Sequence, residues 1–342
     1  MKAVVYRGIN DLRLEDVPEP TIESPTDALI KVTLTSICGS DLHVMEMGAH
    51  EPGKILGHEY CGVVEDIGNE VHNLKKGDRV VGKPFFNCGR CFYCKHHPDQ
   101  ASLCESGGLI GAMGNQGVQA EYARIPYAEN TLIKILDDLS DEDVLFTGDV
   151  LSTGFSGIQR GRVGPGDTVA VFGCGPVGLC AVACAHLFGV SQVIGVDIQD
   201  YRLSVAQKFG AVTINASRED PVAKIKELTN GRGADAGIEA AGFEPTFRTC
   251  IQSTRRGGAV AVLGVFVQPT FFNIVERLVD IFTLTIGLGN LMHMEALIKL
   301  IQKGKLDLSP LITHRLPLSE APRGYEIFEK KLENCIKVLL KP

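Results

Sequence analysis

A chain of 342 residues is long for one hydrophobic core and predicts about two domains. Hydrophobic residues make up 44% and charged residues 22%, an ordinary globular balance, and the net charge of -7 argues against a nucleic-acid partner, which needs clustered Lys and Arg. No apolar run approaches the roughly 20 residues that cross a bilayer, and MKAVVYRGIN carries no apolar stretch with a small-residue cleavage site, so a cytoplasmic protein with no membrane partner is expected.

The first half reads as short strands, AVVY, ALIKVTL, CGVVEDIG and GDRVVGK, broken by Gly, Pro and Asn turns. This predicts a curled, largely antiparallel β unit. Within it lie the run Cys38-Gly39-Ser40-Asp41-Leu42-His43 and the triplet Gly57-His58-Glu59. A catalytic zinc takes about three protein ligands and keeps one position open. Taken singly, however, Cys38 reads better as a buried core thiol, and His58 as a satisfied polar residue.

Eleven cysteines without a secretion signal point to thiols kept reduced, and clustered thiols in that setting more often hold metal than form disulfides. Cys88-x2-Cys91-x2-Cys94-x9-Cys104 offers four thiolates within 17 residues. Four thiolates saturate a tetrahedral zinc, the mark of a structural site. His96 and His97 lie in the same loop but are not needed, since the thiolate set is complete.

Near residue 150 the texture changes. VAVFG, a long helical stretch and VIGVD read as strand, helix, strand, with the unbroken apolar runs of a parallel sheet covered on both faces. DAGIEAAG, a helix near Phe247–Ser253, AVAVLG, a helix near Ile274–Ile281 and LTIG continue the alternation. Met294–Lys303 looks helical, and the tail ends in the strand IKVLL. The expected division is 1–150, 151–288, and a C-terminal segment 289–342 that returns to the first domain.

Gly173-Cys174-Gly175-Pro176-Val177-Gly178 follows the strand Thr168–Phe172 and opens the helix Pro176–Phe188. Glycines there allow the tight turn, the close approach of backbone to a pyrophosphate and close helix packing, while free N–H groups at the helix start hold phosphates. A second strand ends in Asp197, 19 residues beyond Gly178 (197 − 178), where an acid binds the adenosine ribose diol. A carboxylate there repels a 2′-phosphate and favours NAD over NADP. Arg202 either weakens that preference, flanks the adenosine, or is a solvated helix-face charge.

Together these residues resemble a known family. Gly57-His58-Glu59-x2-Gly62-x5-Gly68-x2-Val71, then Gly77-Asp78-Arg79-Val80, resembles the zinc signature of the medium-chain alcohol dehydrogenases. The Cys38–His43 run, the four-cysteine lobe and the glycine fingerprint occur in that family's order. The resemblance implies an α/β fold: a GroES-like, mostly-β catalytic domain joined to a Rossmann domain with a doubly wound parallel sheet.

It also implies roles. Cys38 and His58 would be catalytic zinc ligands, and the third ligand would be Asp149, just before Ser152-Thr153-Gly154-Phe155, where many members carry cysteine. Glu59 would stand behind these ligands or act as an alternate ligand, and Asp41 would orient His58. The lobe's last spacer is nine residues, where the family usually has seven. Ser40 would take the alcohol proton and His43 would pass it to solvent. Thr153 would contact the nicotinamide, and Lys337 would meet the cofactor phosphates or be a solvated tail lysine.

The implied function is hydride transfer between a small primary or secondary alcohol and NAD, giving an aldehyde or ketone, with two zinc ions per chain. Relatives are dimers or tetramers, and Ala259–Gly289 offers a strand edge for pairing. Phe85, Phe86, Leu109 and Leu288 suggest an apolar substrate pocket. The alternatives are a formaldehyde- or polyol-type dehydrogenase on the same scaffold, or a non-catalytic NAD-binding regulator, which would have no need of the Cys38, Ser40, His43, His58 and Asp149 set.

Overall fold

The computed structural model describes residues 1–342. The chain divides into two compact units, one formed by Met1–Asp149 with Asn290–Pro342, the other by Val150–Gly289.

The first unit is mostly β. Its main sheet runs in the order Ile312–Pro317, Lys337–Lys341, Ala28–Ser36, Tyr60–Ile67, Arg79–Gly82 and Leu132–Lys134, with Tyr122–Ile125 also pairing Ala28–Ser36. All neighbours are antiparallel except the first two strands. Strand residues such as Ile30, Val32, Val64, Val80 and Ile125 fill one core beneath the sheet. The tail belongs to this unit for two reasons. The helix Met294–Gln302 buries Met294, Leu297 and Ile298, the spacing of one helical face. The last strand then pairs with Ala28–Ser36 through Leu339 opposite Ser36 and Leu340 opposite Thr35.

The second unit is a six-stranded parallel sheet. Its order is Val212–Asn215, Gln192–Asp197, Thr168–Phe172, Ala234–Glu239, Thr254–Val262 and Thr283–Ile286. Every residue of Thr168–Phe172 is buried, as strands covered on both faces require. The strand order reverses between Thr168–Phe172 and Ala234–Glu239, and ligands of open parallel sheets bind outside the carboxyl ends of the strands at such a switch.

One expected helix is absent. Residues near Ile274–Ile281 form only a single 3₁₀ turn, Ile274–Arg277. Val275, Leu278, Val279 and Ile281 are all exposed, the last by 88%. A short helix owes its stability to packing one apolar face, and here no face is covered within the chain.

Candidate functional site

Cys38 precedes the helix Gly39–Glu46, His58 and Glu59 lead into the strand Tyr60–Ile67, and Asp149 follows the 3₁₀ turn Leu145–Gly148. These segments bring one donor atom from each of the four residues within 4.8 Å of one another. The Cys38 Sγ lies 3.3 Å from Asp149 Oδ2, and His58 Nε2 lies 3.4 Å from the same oxygen. Ligands on a tetrahedral zinc are separated by roughly 3.3–3.7 Å given the usual bond lengths, so the donor set fits that ion.

Asp41, itself buried, organises this set. One carboxylate oxygen accepts the Cys38 N–H at 2.9 Å, and the other lies 3.1 Å from His58 Nδ1. A metal-bound imidazole is usually oriented by an acceptor on its other nitrogen, and Asp41 is placed to do this for His58. Burial pulls the His58 imidazole down, but the Asp41 charge and bonds to Asp149, Asp41 and Cys38 carry it well above its ordinary value. Burial pushes the Asp149 carboxyl up, yet His58 holds it down to about 2. Two acids and a thiol thus gather around a centre that favours positive charge.

Glu59 is fully buried, and Lys337 Nζ lies 2.6 Å from each of its carboxylate oxygens. Ser36 donates its hydroxyl to the same carboxylate, and Lys337 also donates to the Ile37 carbonyl at 3.0 Å. This rules out the alternative that Lys337 lies solvated in the tail. Its strand is an interior member of the sheet, so the side chain is buried, and a buried ammonium needs an anion beside it. No sequence pattern singles out Ser36, which reads only as the end of a strand.

Ser40 is the second residue of the helix Gly39–Glu46, its hydroxyl 3.1 Å from His58 Nε2. His43 lies three residues on, and its half-buried ring has Nδ1 3.8 Å from Glu46 Oε2. The structure therefore places Ser40 at the donor set and gives His43 access to solvent.

The second cluster is built by a loop containing the short helix Phe92–His96 and the 3₁₀ turn Ala101–Leu103. These turns take up the nine-residue spacer and bring Cys104 to the other three thiols. Sulfur separations are 3.5 Å for Cys91–Cys94, 3.9 Å for Cys91–Cys104 and 4.0 Å for Cys88–Cys94. A tetrahedral zinc with four thiolates requires about 3.8 Å. Backbone N–H groups of Cys94 and Glu105 lower the Cys91 thiol to about 6, favouring the ligating thiolate. His96 and His97 pack near the Phe92 ring and are not among the converging donors.

In the second unit, Gly173 has φ +89 and Gly175 caps the helix Pro176–Ala185, with Pro176 in its first turn. A Cβ on Gly178 would collide with the Gly173 carbonyl. A Cβ on Gly175 would meet only the Arg202 guanidinium, at 3.9 Å, so the backbone of Gly175 to Val177 is open to a phosphate. Asp197 ends its strand and accepts the N–H groups of Cys174 at 2.7 Å, Ile198 at 2.7 Å and Gln199 at 2.9 Å. Arg202 Nη1 lies 3.9 Å from Asp197, and its buried Nε makes no hydrogen bond. Arg202 therefore lies over the fingerprint instead of on a solvated face. Thr153, on the helix Val150–Arg160, packs so closely on Gly289 that a Cβ there would overlap its hydroxyl.

Comparison with known proteins agrees with this geometry. Residues 24–137 match the family model described as alcohol dehydrogenase GroES-like domain, and residues 176–303 match that of zinc-binding dehydrogenase. An uncharacterised zinc-type alcohol dehydrogenase-like protein of Bacillus subtilis is 37% identical, covering 100% of both chains. An alcohol dehydrogenase of Cupriavidus necator is 36% identical over 100% of this chain and 99% of its own. Among solved structures, an alcohol dehydrogenase from Thermus sp. ATN1 superposes with TM-score 0.94 at 40% identity, covering 100% of this chain and 99% of its own.

Proposed function

The chain belongs to the zinc-type alcohol dehydrogenases of the medium-chain family, an oxidoreductase family, and from that premise we propose that it moves a hydride between a small primary or secondary alcohol and NAD. The observation that carries this reading is the convergence of Cys38, His58, Glu59 and Asp149 with the Ser40 hydroxyl beside them. Zinc held by this set would polarise the alcohol oxygen and lower its pKa, while the dinucleotide would accept the hydride.

The chain's own residues do the rest. Cys38, His58 and Asp149 hold the metal, with Asp41 fixing the imidazole. Ser40 accepts the alcohol proton at its Oγ as its own hydroxyl proton moves on, and His43, three residues along the same helix, passes a proton to solvent. Glu59, held by Lys337, stands behind the ligands as an alternate donor. Cys88, Cys91, Cys94 and Cys104 would hold a second, structural zinc. Gly173, Gly175, Pro176, Val177 and Gly178 receive the pyrophosphate, Asp197 the ribose diol, Arg202 the adenosine side and Thr153 the nicotinamide. Support for NAD over NADP is the Asp197 carboxylate, which repels a 2′-phosphate.

Phe85 stands opposite Leu109 in a short two-stranded ladder, which supports an apolar alcohol as substrate. The outer edge of Thr283–Ile286 is unpaired, and the exposed apolar run beside it supports a homodimer or homotetramer. Eleven free cysteines support a reducing, cytoplasmic location.

The test is reduced-nicotinamide absorbance with zinc-loaded protein, a panel of small alcohols, and NAD or NADP. Chelator-sensitive reduction of NAD is the expected result. Zinc and NAD binding without turnover on any alcohol would overturn the catalytic reading.

A further inference from the structure

Glu239 is the last residue of the strand Ala234–Glu239, beside the point where the strand order reverses, and it is fully buried. Its Oε1 accepts the N–H groups of Ala241 and Gly242 at 3.0 Å each, and Oε2 accepts Gly242 at 3.2 Å. Its backbone carbonyl accepts Leu263 at 2.8 Å and Gly264 at 3.1 Å. One residue thus ties down two loops, 240–243 and 263–265, at the carboxyl ends of adjacent strands. The loops are packed glycine on glycine. A Cβ on Gly264 would collide with the Gly242 backbone and come within 2.6 Å of Glu239 Oε2. The first loop in turn supports the fingerprint, since a Cβ on Gly173 would meet the Ala241 nitrogen and Cβ at 2.9 Å.

We infer that Glu239 is a positioning residue for the dinucleotide: its carboxylate fixes the loop 240–243, against which the glycine fingerprint rests. The inference rests on the second unit being the dinucleotide site. Burial pushes this carboxyl up to about 7, against the pull of backbone N–H donors from Ala241, Gly242, Phe243 and Gly264. The charged, fully accepting form and the neutral form therefore exchange near neutral pH. On the neighbouring strands Phe172 and Val262 stand opposite it and carry no charge. On the helix Glu244–Ser253, the Cys250 thiol is held protonated by burial and by the Glu239 charge, while Glu244 and Arg248 pair in solvent.

The experiment is a fluorescence titration of the full, zinc-loaded protein with NADH between about pH 6 and pH 8.5. In the natural protein the NADH Kd is expected to rise several-fold as pH falls through about 7. Glu239→Gln is expected to bind roughly tenfold more weakly at the alkaline end, with a flat profile, because an amide cannot accept the same N–H set. Its zinc content should be unchanged. A variant that keeps the natural Kd and pH profile overturns the inference, as does natural protein that binds NADH more tightly as pH falls, the sign of simple repulsion by the phosphates. If Glu239→Gln fails to fold, Glu239→Asp keeps the charge but shortens its reach: weaker NADH binding supports the inference, and an unchanged Kd overturns it. Natural protein that binds neither NADH nor NADPH overturns the dinucleotide reading first, and the inference with it.

Discussion

Lys337 and Glu59, 278 positions apart in sequence, form an ion pair fully shielded from solvent, the ammonium 2.6 Å from both carboxylate oxygens. Removing one partner from such a pair strands the other charge in a medium that solvates it poorly. Lys337→Met is therefore expected to destabilise the protein by about 3–5 kcal/mol. The double variant with Glu59→Gln should recover part of that loss, as read by urea unfolding. Equal losses in the single and double variants would show that the pair is not the unit of stability.

Cys38→Ala should lower bound zinc from about two ions per chain to about one and abolish turnover, because three protein ligands are the usual minimum of a catalytic site. NADH binding should persist, since the fingerprint lies in the other unit. Asp149→Cys should keep both ions, a thiolate being an equally competent ligand. Metal analysis, an NADH titration and a turnover assay check these four statements, and retention of two zinc ions by Cys38→Ala would remove Cys38 from the ligand set.

Cys104→Ser tests the nine-residue spacer. Loss of one thiolate from the second cluster should release its zinc, lower Tm by about 5–10 °C and open the loop 88–104 to proteolysis. Catalytic zinc should remain. An unaltered melting curve with full zinc content would mean that the fourth thiol is idle.

Asp197→Ser is expected to cut kcat/KM with NAD roughly 10–100-fold, through lost charge-assisted bonds to the ribose diol. The same change should improve the ratio of NADP to NAD use, with Arg202 freed from its partner 3.9 Å away. An unchanged NADP-to-NAD ratio would count against Asp197 as the discriminating group.

Glu239 also predicts how stability varies with pH. Its carboxyl has an ordinary value of 4.5 and is raised to about 7 by burial. Between those values the native protein holds a proton that the unfolded chain has released, so this group makes stability fall as pH rises through that window. Glu239→Gln removes the dependence, worth at most about 3 kcal/mol. Unfolding midpoints measured across the window should therefore decline less steeply in the variant; parallel declines would show that other groups set the slope.

The features legible in the sequence are those whose chemistry is packed into a short stretch. The Cys88–Cys104 set and the Gly173–Gly178 turn need only local spacing, because the loop and the strand-to-helix turn that hold them are themselves local. The role of Asp41 toward His58 is legible only through the family resemblance. The Lys337–Glu59 pair is not legible, because it depends on pairing with Ala28–Ser36, about three hundred positions earlier, and no local pattern encodes that register. The run Ile274–Ile281 has enough apolar residues for a helix, but helix formation needs something to cover one face, and nothing in this chain does. Ser36 and Glu239 were passed over because each reads as an ordinary strand end until its partners are in place.

The return of the tail to the first unit has a consequence for biosynthesis. Because Lys337–Lys341 is an interior strand whose neighbour on one side is Ala28–Ser36, the earlier-translated strand cannot complete its pairing until the later one, some three hundred positions on, has left the ribosome. The parallel-sheet unit, Val150–Gly289, is contiguous and is free to fold earlier. During that interval Glu59 lacks its ammonium and the Thr35–Ser36 end of its neighbouring strand is bare.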